Sequence, residues 1–317
     1  MSWSRALTVF VAAVGATTLL GWLGRFHPWF EMLTNIAPQM LVLSLVAAAW
    51  AAIARRRWHL AVGGVCALWF LFLLVPYWLA SPEPRPADPD DVHIALQYNV
   101  YFGNDDIDRI VAEIEAADAD VIALHEITTE QWLLIGERVP SYAAIALPWD
   151  GDDPQLGGGM ALLSRTPLTA LPVDPSASIV GRPILAASTT VGGVETIVVG
   201  LHPHASRFVS AKVDLRDAQL DAVAALLDGE QRPALILTDL NMTPTSSDYR
   251  GFLDDLGWRD PHRDTGWDAS WPTWGSSFGL PIDHILVSND VALHDISSGG
   301  GGGSDHRSVV AEFSFSE

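Results

Sequence analysis

Several polar side chains in this sequence stand directly after an apolar run or at the start of one, and they belong to a small chemical set. They are Asn99, Glu126, His202, Asp239 with Asn241, Asp283, and the adjacent pair Asp305-His306. Carboxylates and a carboxamide suit a hard divalent cation, which takes oxygen ligands and keeps part of its water shell. A histidine beside an aspartate, held on a rigid strand, suits a base that removes a proton from water next to such an ion. Strand ends are also where α/β enzymes concentrate their chemistry. Each cluster alone has a plainer reading: Asn99 and Asn241 as Asx turns, Glu126 as a cap beside Thr128 and Thr129, Asp305-His306 as a solvated turn. The same placement repeated along the chain is what marks a site.

The elements that must carry these groups follow from the apolar pattern. His93 to Val100 reads as a buried strand, 107–117 as a helix with its face at Ile107, Ile110, Val111 and Ile114, and Val121 to Leu124 as a second strand, a β-α-β start. Further strands are predicted over 141–147, 160–164, 184–190, 195–201, 235–238, 282–288, 291–296 and 308–315, with Gly157-Gly158-Gly159 and Gly192-Gly193 as punctuation. A long helix with Val213, Leu220, Val223 and Leu227 on one face precedes a stop at Gly229. The glycine run 299–303 reads as a flexible approach to the last strand. Such a mixture suits a layered α/β body over 92–317, with the strand order left open.

The first 80 residues differ in kind. Residues 6–23, 36–54 and 60–79 are nearly uncharged apolar stretches, each about the 20 residues a helix needs to cross roughly 30 Å of hydrocarbon, and three transmembrane helices are expected. Arg55-Arg56-Arg57 lies between the second and third, so the rule that cytoplasmic loops retain positive charge places that turn and the N-terminus inside and everything after Leu79 outside. A Pro-rich linker, 81–91, closes this anchor. Residues 1–80 hold five arginines and one glutamate of the chain's 18 basic and 38 acidic residues, which leaves 13 against 37, a net −24, for the rest. That balance disfavours nucleic acid as a partner. Cys66 is the only cysteine, so an intrachain disulfide is excluded.

Taken in order, Tyr98-Asn99-Val100, Leu124-His125-Glu126, Gly200-Leu201-His202, Thr238-Asp239-Leu240-Asn241, Ile282-Asp283-His284-Ile285-Leu286 and Gly303-Ser304-Asp305-His306-Arg307 resemble the motif series of the endonuclease/exonuclease/phosphatase superfamily. The resemblance runs from about residue 92 to 315 and implies a four-layer α/β sandwich of the DNase I type. It also implies a divalent ion, Mg²⁺ or Mn²⁺, and hydrolysis of a phosphate ester or anhydride. By position, Asn99 and Glu126 resemble the metal ligands, with Asp305 near the same ion. His202 resembles a donor to a phosphate oxygen, Asp239 and Asn241 the groups that position water and phosphate, and His306 the base whose imidazole Asp283 holds. Whether Asp239 or His306 is the base stays open. His125 stands where the family often has Gln, and His125, His204 and Arg182 are further candidates for contact with the substrate phosphate.

The anchor and the site together look like the architecture of VanJ-type teicoplanin-resistance proteins. That likeness implies a phosphohydrolase outside the cytoplasm acting on a membrane lipid such as undecaprenyl pyrophosphate, with the bilayer as its partner. A tethered site meets a substrate confined to the same leaflet at high effective concentration. An anchored extracellular nuclease or sphingomyelinase-like phosphodiesterase, and a non-catalytic membrane sensor that keeps the fold, are the alternatives. Oligomeric state is not legible.

Overall fold

The computed structural model describes residues 3–24, 27–149, 158–174, 177, 182–205, 209–275 and 279–316. Gly157, from the glycine punctuation, and Gly181, the residue before Arg182, lie outside the described residues. Four helices come first: α1 (Trp3–Trp22), the short α2 (Pro28–Glu31), α3 (Ala37–Ile53) and α4 (Arg57–Trp78). α1 and α4 are long and apolar enough to cross a membrane. α3 has 17 residues and rises about 26 Å at 1.5 Å per residue, short of the ~30 Å of a hydrocarbon core. The three longer helices pack on one another. At one end Arg56 donates to Ser4 Oγ at 3.1 Å and Thr8 bonds His59 at 3.0 Å, so the N-terminus of α1 meets the turn between α3 and α4.

Beyond them lie β1 (His93–Asn99), α5 (Ile107–Ala117), β2 (Val121–His125), α6 (Thr129–Gly136), β3 (Ala143–Leu147), β4 (Met160–Ser164), β5 (Thr169–Ala170), β6 (Leu185–Val191), β7 (Val194–Leu201), α7 (Ser210–Leu227), β8 (Ala234–Asp239), α8 (Ser247–Leu256), α9 (His262–Thr265), β9 (Asp283–Val287), β10 (Val291–Ser298) and β11 (Val309–Phe315). They form one sheet in the order β10-β11-β1-β2-β4-β3 and a second in the order β5-β6-β7-β8-β9. Period-two alternation sorts each strand's side chains. Ala95, Ala123, Leu162, Val198, Leu237 and Ile285 fill the space between the sheets. Leu96, Tyr98, Ile122 and Leu124 turn outward onto Ile110 and Ile114 of α5. Val199 and Ile236 turn outward onto Val223 of α7 and Phe252 of α8. Helices on both outer faces give four layers, and β1 and β8 are buried along their whole length but for Ile94 because both of their faces are covered.

Local signals set the helix ends. Asp106 accepts from the amide of Arg109 to start α5, and Thr128 with Gln131 forms a reciprocal capping box at α6. The glycine run does not behave as the flexible approach its composition suggests. Tyr98 and Asn104 donate to the carbonyls of Gly301 and Gly302, and a Cβ on Gly302 would lie 2.5 Å from the Tyr98 hydroxyl. Gly302 and Gly303 also take φ of 51° and 94°, so glycine is required there by backbone and by space.

The segment between α1 and α3 docks on the loop that follows β8. The Asn35 side-chain oxygen accepts from the Thr243 amide at 2.7 Å and from its hydroxyl at 3.1 Å, Thr245 donates to the carbonyl of Thr34 at 2.7 Å, and Ser246 donates to Glu31. Tyr77, near the end of α4, donates to Pro244 O at 2.9 Å. Glu31 is 1% exposed, and burial, reinforced by Asp248, pushes its carboxyl from 4.5 up to about 6 against the opposing pull of Ser246 and Arg216. The folded chain therefore binds this proton more tightly than the unfolded chain, and the associated stability, about 2 kcal/mol at 1.36 per unit, is present below pH 4.5 and lost as pH rises through 6. Thermal denaturation of the detergent-solubilised chain between pH 4.5 and 7 checks this: Glu31→Gln should flatten the fall seen in the wild type, and an unchanged slope would contradict the assignment.

Candidate active site

Register brings the polar strand ends to one edge of the sandwich. β1 and β2 are parallel with Asn99 beside His125, which puts Glu126 next to Asn99. β8 and β9 are antiparallel with Asp239 directly opposite Asp283. β7 runs parallel to β8 and delivers His202 one residue past Leu201, while β11 runs antiparallel to β1 and begins just after Asp305-His306. The first sheet thus supplies Asn99, Glu126, Asp305 and His306, and the second His202, Asp239, Asn241 and Asp283.

His306 donates from Nδ1 to Asp283 Oδ2 at 2.8 Å, and its Nε2 lies 3.8 Å from Asp239 Oδ2. The second Asp283 oxygen accepts from Gln97 Nε2 at 3.0 Å. Asp239 accepts from Asn99 Nδ2 at 2.9 Å and from the Asn241 amide at 3.0 Å. His202 reaches the Asp239 carbonyl from Nδ1 and Glu126 Oε1 from Nε2, both at 3.1 Å. Asn241 Nδ2 and Arg182 Nη1 both donate to Pro203 O, at 3.3 and 3.2 Å. Glu126 and Asn241 have φ of 56° and 55°, a left-handed backbone that residues other than glycine adopt at a cost of order 1–3 kcal/mol and that clusters at functional sites.

Burial and charge divide the proton affinities. For His306 burial alone would lower the value, but the carboxylates of Asp283 and Asp239 outweigh it and push the imidazole up to about 10. Burial, with Asp283 opposite, raises Asp239. Burial would also raise Glu126, yet the His202 hydrogen bond and charge, with Arg182 and His306, hold it down to about 2. Glu126 is therefore ionised near neutral pH, whereas His306 keeps its proton there and Asp239 holds one more readily than a free carboxyl.

Two groupings offer ligands to a cation. Asp239, Asp283 and His306 hold ligand atoms within 4.8 Å of one another. Both Asp283 oxygens are taken, by His306 and Gln97, so this trio suits proton handling. Glu126 Oε2 has no hydrogen-bond partner among the described residues, and Asn99 Oδ1 accepts only from the Tyr101 amide, which leaves it a second lone pair. A permanently ionised carboxylate beside a carboxamide oxygen fits a hard, oxygen-seeking ion such as Mg²⁺ or Mn²⁺.

The remaining candidates fall differently. Asp305 is exposed and accepts from Trp271 Nε1 at 3.1 Å. His204 is buried, and burial with the charges of Arg182 and Lys212 lowers it to about 4, so it is neutral near pH 7. His125 is corrected: it is fully buried, its ring centroid 5.7 Å from that of His202, so it lies behind the site instead of touching substrate. Three residues escaped the sequence. Gln97 holds Asp283 and was findable two positions before Asn99 on the same strand face. Ser304 donates to Asn99 O at 2.7 Å and accepts from the His306 amide. Ser270 accepts from the Asp283 amide at 3.2 Å from a loop without motif.

Residues 96–306 match the profile of the Endonuclease/Exonuclease/phosphatase family. No curated protein is a significant sequence match. Among solved structures, the chain is similar to an endonuclease/exonuclease/phosphatase from Bacteroides vulgatus at a TM-score of 0.58 and 16% identity, over 71% of this chain and 99% of that one. It is also similar to a mannosyl-6-phosphatase from Bacteroides thetaiotaomicron, at 0.57 and 18% over 70% and 100%, and to a Neisseria 3′ phosphatase bound to product DNA hairpin, at 0.57 and 19% over 70% and 100%. At these identities the likeness is one of fold, a DNase I-like sandwich.

A ligand that binds only the folded state stabilises it by about 2.7 kcal/mol at a hundredfold excess over Kd. Mg²⁺ or Mn²⁺ should therefore raise the melting temperature of the metal-stripped chain, and Glu126→Gln should remove that rise; an equal rise in the variant would place the ion elsewhere.

Proposed function

Because the chain belongs to the endonuclease/exonuclease/phosphatase family, we propose that it is a divalent-metal-dependent phosphohydrolase whose substrate is a lipid-linked phosphate or pyrophosphate, such as undecaprenyl pyrophosphate. The family's members are hydrolases of phosphoester bonds and typically need a divalent metal. The observation that carries the lipid reading is the grip of the apolar helices on the loop bearing Asn241, through Asn35, Thr34, Glu31 and Tyr77. The mannosyl-6-phosphatase and the 3′ phosphatase support hydrolysis of a phosphate from a larger carrier.

Glu126 and Asn99, with Asp305 at the rim, would hold the ion, which supplies positive charge that polarises the phosphate and offsets the charge gained during displacement. Asp239 and His306 together handle the proton of the attacking water, with Asp283 holding His306 through Nδ1 so that Nε2 faces the reaction. Asn241 donates an N–H to a phosphate oxygen, His202 holds Glu126 in place for the ion, and Arg182 adds positive charge beside them. The organisation we propose is an anchor over 1–80 with three spans, the 17-residue α3 being at the short end of the spanning range, a linker over 81–91 and a catalytic domain over 92–317 outside the cytoplasm. The up-down-up packing supports it, since Arg56 and the N-terminus share one end while Asn35 and Tyr77 meet the catalytic part at the other. In this arrangement the whole matches the VanJ-type likeness.

Two experiments test the reading. Purified full-length chain with Mg²⁺ should release phosphate from polyprenyl pyrophosphate in preference to sphingomyelin, an inositol phosphate or DNA, and His306→Ala should cut the rate about 10²–10⁴-fold with folding intact. Preference for DNA or sphingomyelin would replace the lipid-phosphate assignment, and no turnover on any of them would favour a sensor. Cys66 is buried, so a cysteine introduced as Ala87→Cys, at an exposed linker position, reports topology alone. An impermeant maleimide should label it in intact cells; labelling only after lysis would overturn the orientation.

A further inference from the structure

Where the apolar helices meet the loop after β8 they leave a cavity of about 310 Å³. Its wall between the helices is mostly apolar, with Gly21 and Trp22 at the end of α1 and Trp69, Phe70 and Leu73 of α4, and it also includes Thr17 and Thr18 of α1. Trp22 and Trp69 meet edge to face with ring centroids 4.9 Å apart. Trp69 lies eight positions before Tyr77, which bonds the loop, so the cavity runs about 12 Å down α4 from the junction. At ~30 Å³ per water the space corresponds to about ten waters, too little for a folded segment.

The other end is polar. Thr245, Ser247 and Arg250 line it, and the half-buried Arg250 donates one N–H to Thr245 O at 2.9 Å. No carboxylate pairs with this guanidinium among the described residues, in a chain whose net charge is −20. A guanidinium has five donors in a planar fork that matches phosphate oxygens. A mostly apolar slot of this volume, lined at the junction of the long apolar helices and the polar body by an arginine with no carboxylate partner among the described residues, is the complement of a phosphate-bearing lipid. Arg250 makes no hydrogen bond or ion pair with the cluster around His306, so this place is separate from the active site.

We propose that the cavity binds an anionic phospholipid of the surrounding bilayer, with one chain between α1 and α4 and its phosphate on Arg250. The assignment rests on the membrane placement proposed above, though not on the identity of the hydrolysed substrate. A lipid seated there rests on the same loop, 240–246, that carries Asn241, and so ties the catalytic edge to the presence of a membrane.

The test uses the full-length chain in nanodiscs with phosphatidic acid carrying a diazirine at its chain end, and diacylglycerol with the same chain as the neutral probe. Phosphatidic acid should label the stretch around Gly21 or that around Phe70, and diacylglycerol should label both weakly. Arg250→Gln should reduce the labelling about tenfold, the loss expected for a charge-assisted contact. Gly21→Leu fills the slot instead: a Cβ there meets nothing closer than Thr34 at 3.8 Å, so the helix tolerates it and labelling should disappear. Equal labelling by the two probes, or unchanged labelling in both variants, would overturn the site. Displacement by polyprenyl phosphate far below the concentration at which phosphatidylglycerol displaces would overturn the bilayer phospholipid as occupant. Phosphate release is read separately, so labelling without polyprenyl pyrophosphate hydrolysis would refute only the substrate reading, and hydrolysis without labelling only this one.

Discussion

Asp239 and Asp283 stand directly opposite each other on neighbouring antiparallel strands, each about 1% exposed. Two buried like charges in that position repel, and each has left water behind, so the pair persists only if donors and cations surround it. They do: His306 sits against both, Gln97 and Asn99 reach across from β1, and the Asn241 amide closes the remaining side. Because β1 and β11 belong to one sheet and β8 and β9 to the other, the share of this compensation supplied by His306, Gln97 and Asn99 is available only once the two sheets have packed. Closure of the sandwich and assembly of the site are thus linked, and the charge pair is also what raises the proton affinity of His306 and of Asp239.

The backbone carries its share of the arrangement. Glu126 and Asn241 each leave a strand in a left-handed conformation, which turns their side chains toward the edge instead of along the strand. The strain is held by the strands behind them, and the return is preorganisation: an ionised Glu126 fixed by His202 needs no rearrangement to receive a cation.

Much of this was legible in the sequence, for a physical reason. Period-two and period-3.6 apolar patterns are local, and the helix expected over 107–117 forms there because Asp106 caps it and Ile110 and Ile114 bury against β1 and β2. The ordered motifs located Asn99, Glu126, His202, Asp239, Asn241, Asp283 and His306 at strand ends because apolar runs announce where strands stop. Strand order was not legible, since pairing such as β1 with β11 joins residues more than 200 positions apart. α6 and α8 were missed because short helices depend on caps, here Thr128 and Ser246, more than on a long apolar face. Gln97 and Ser304 act through contacts that only the folded register creates. His125 looked like a site residue because it adjoins Glu126, but the alternation that presents one residue to the edge sends its neighbour into the interior. The glycine run misled in the opposite sense, since its composition reads as loose while Tyr98 and Asn104 pin it.

The junction at Asn35 and Thr243 joins the apolar helices to the loop that carries Asn241, so those helices and the catalytic edge share one segment of backbone. The claim on which the rest turns is that cation binding and proton handling are separate within the site: Glu126 and Asn99 for the ion, Asp239, Asp283 and His306 for the proton. Anomalous diffraction from crystals grown with Mn²⁺ tests it most directly. The expected result is a peak against the Glu126 carboxylate and the Asn99 side-chain oxygen, with Asp283 still bonded to His306. A peak inside the Asp239, Asp283 and His306 trio, with that bond broken, would contradict it.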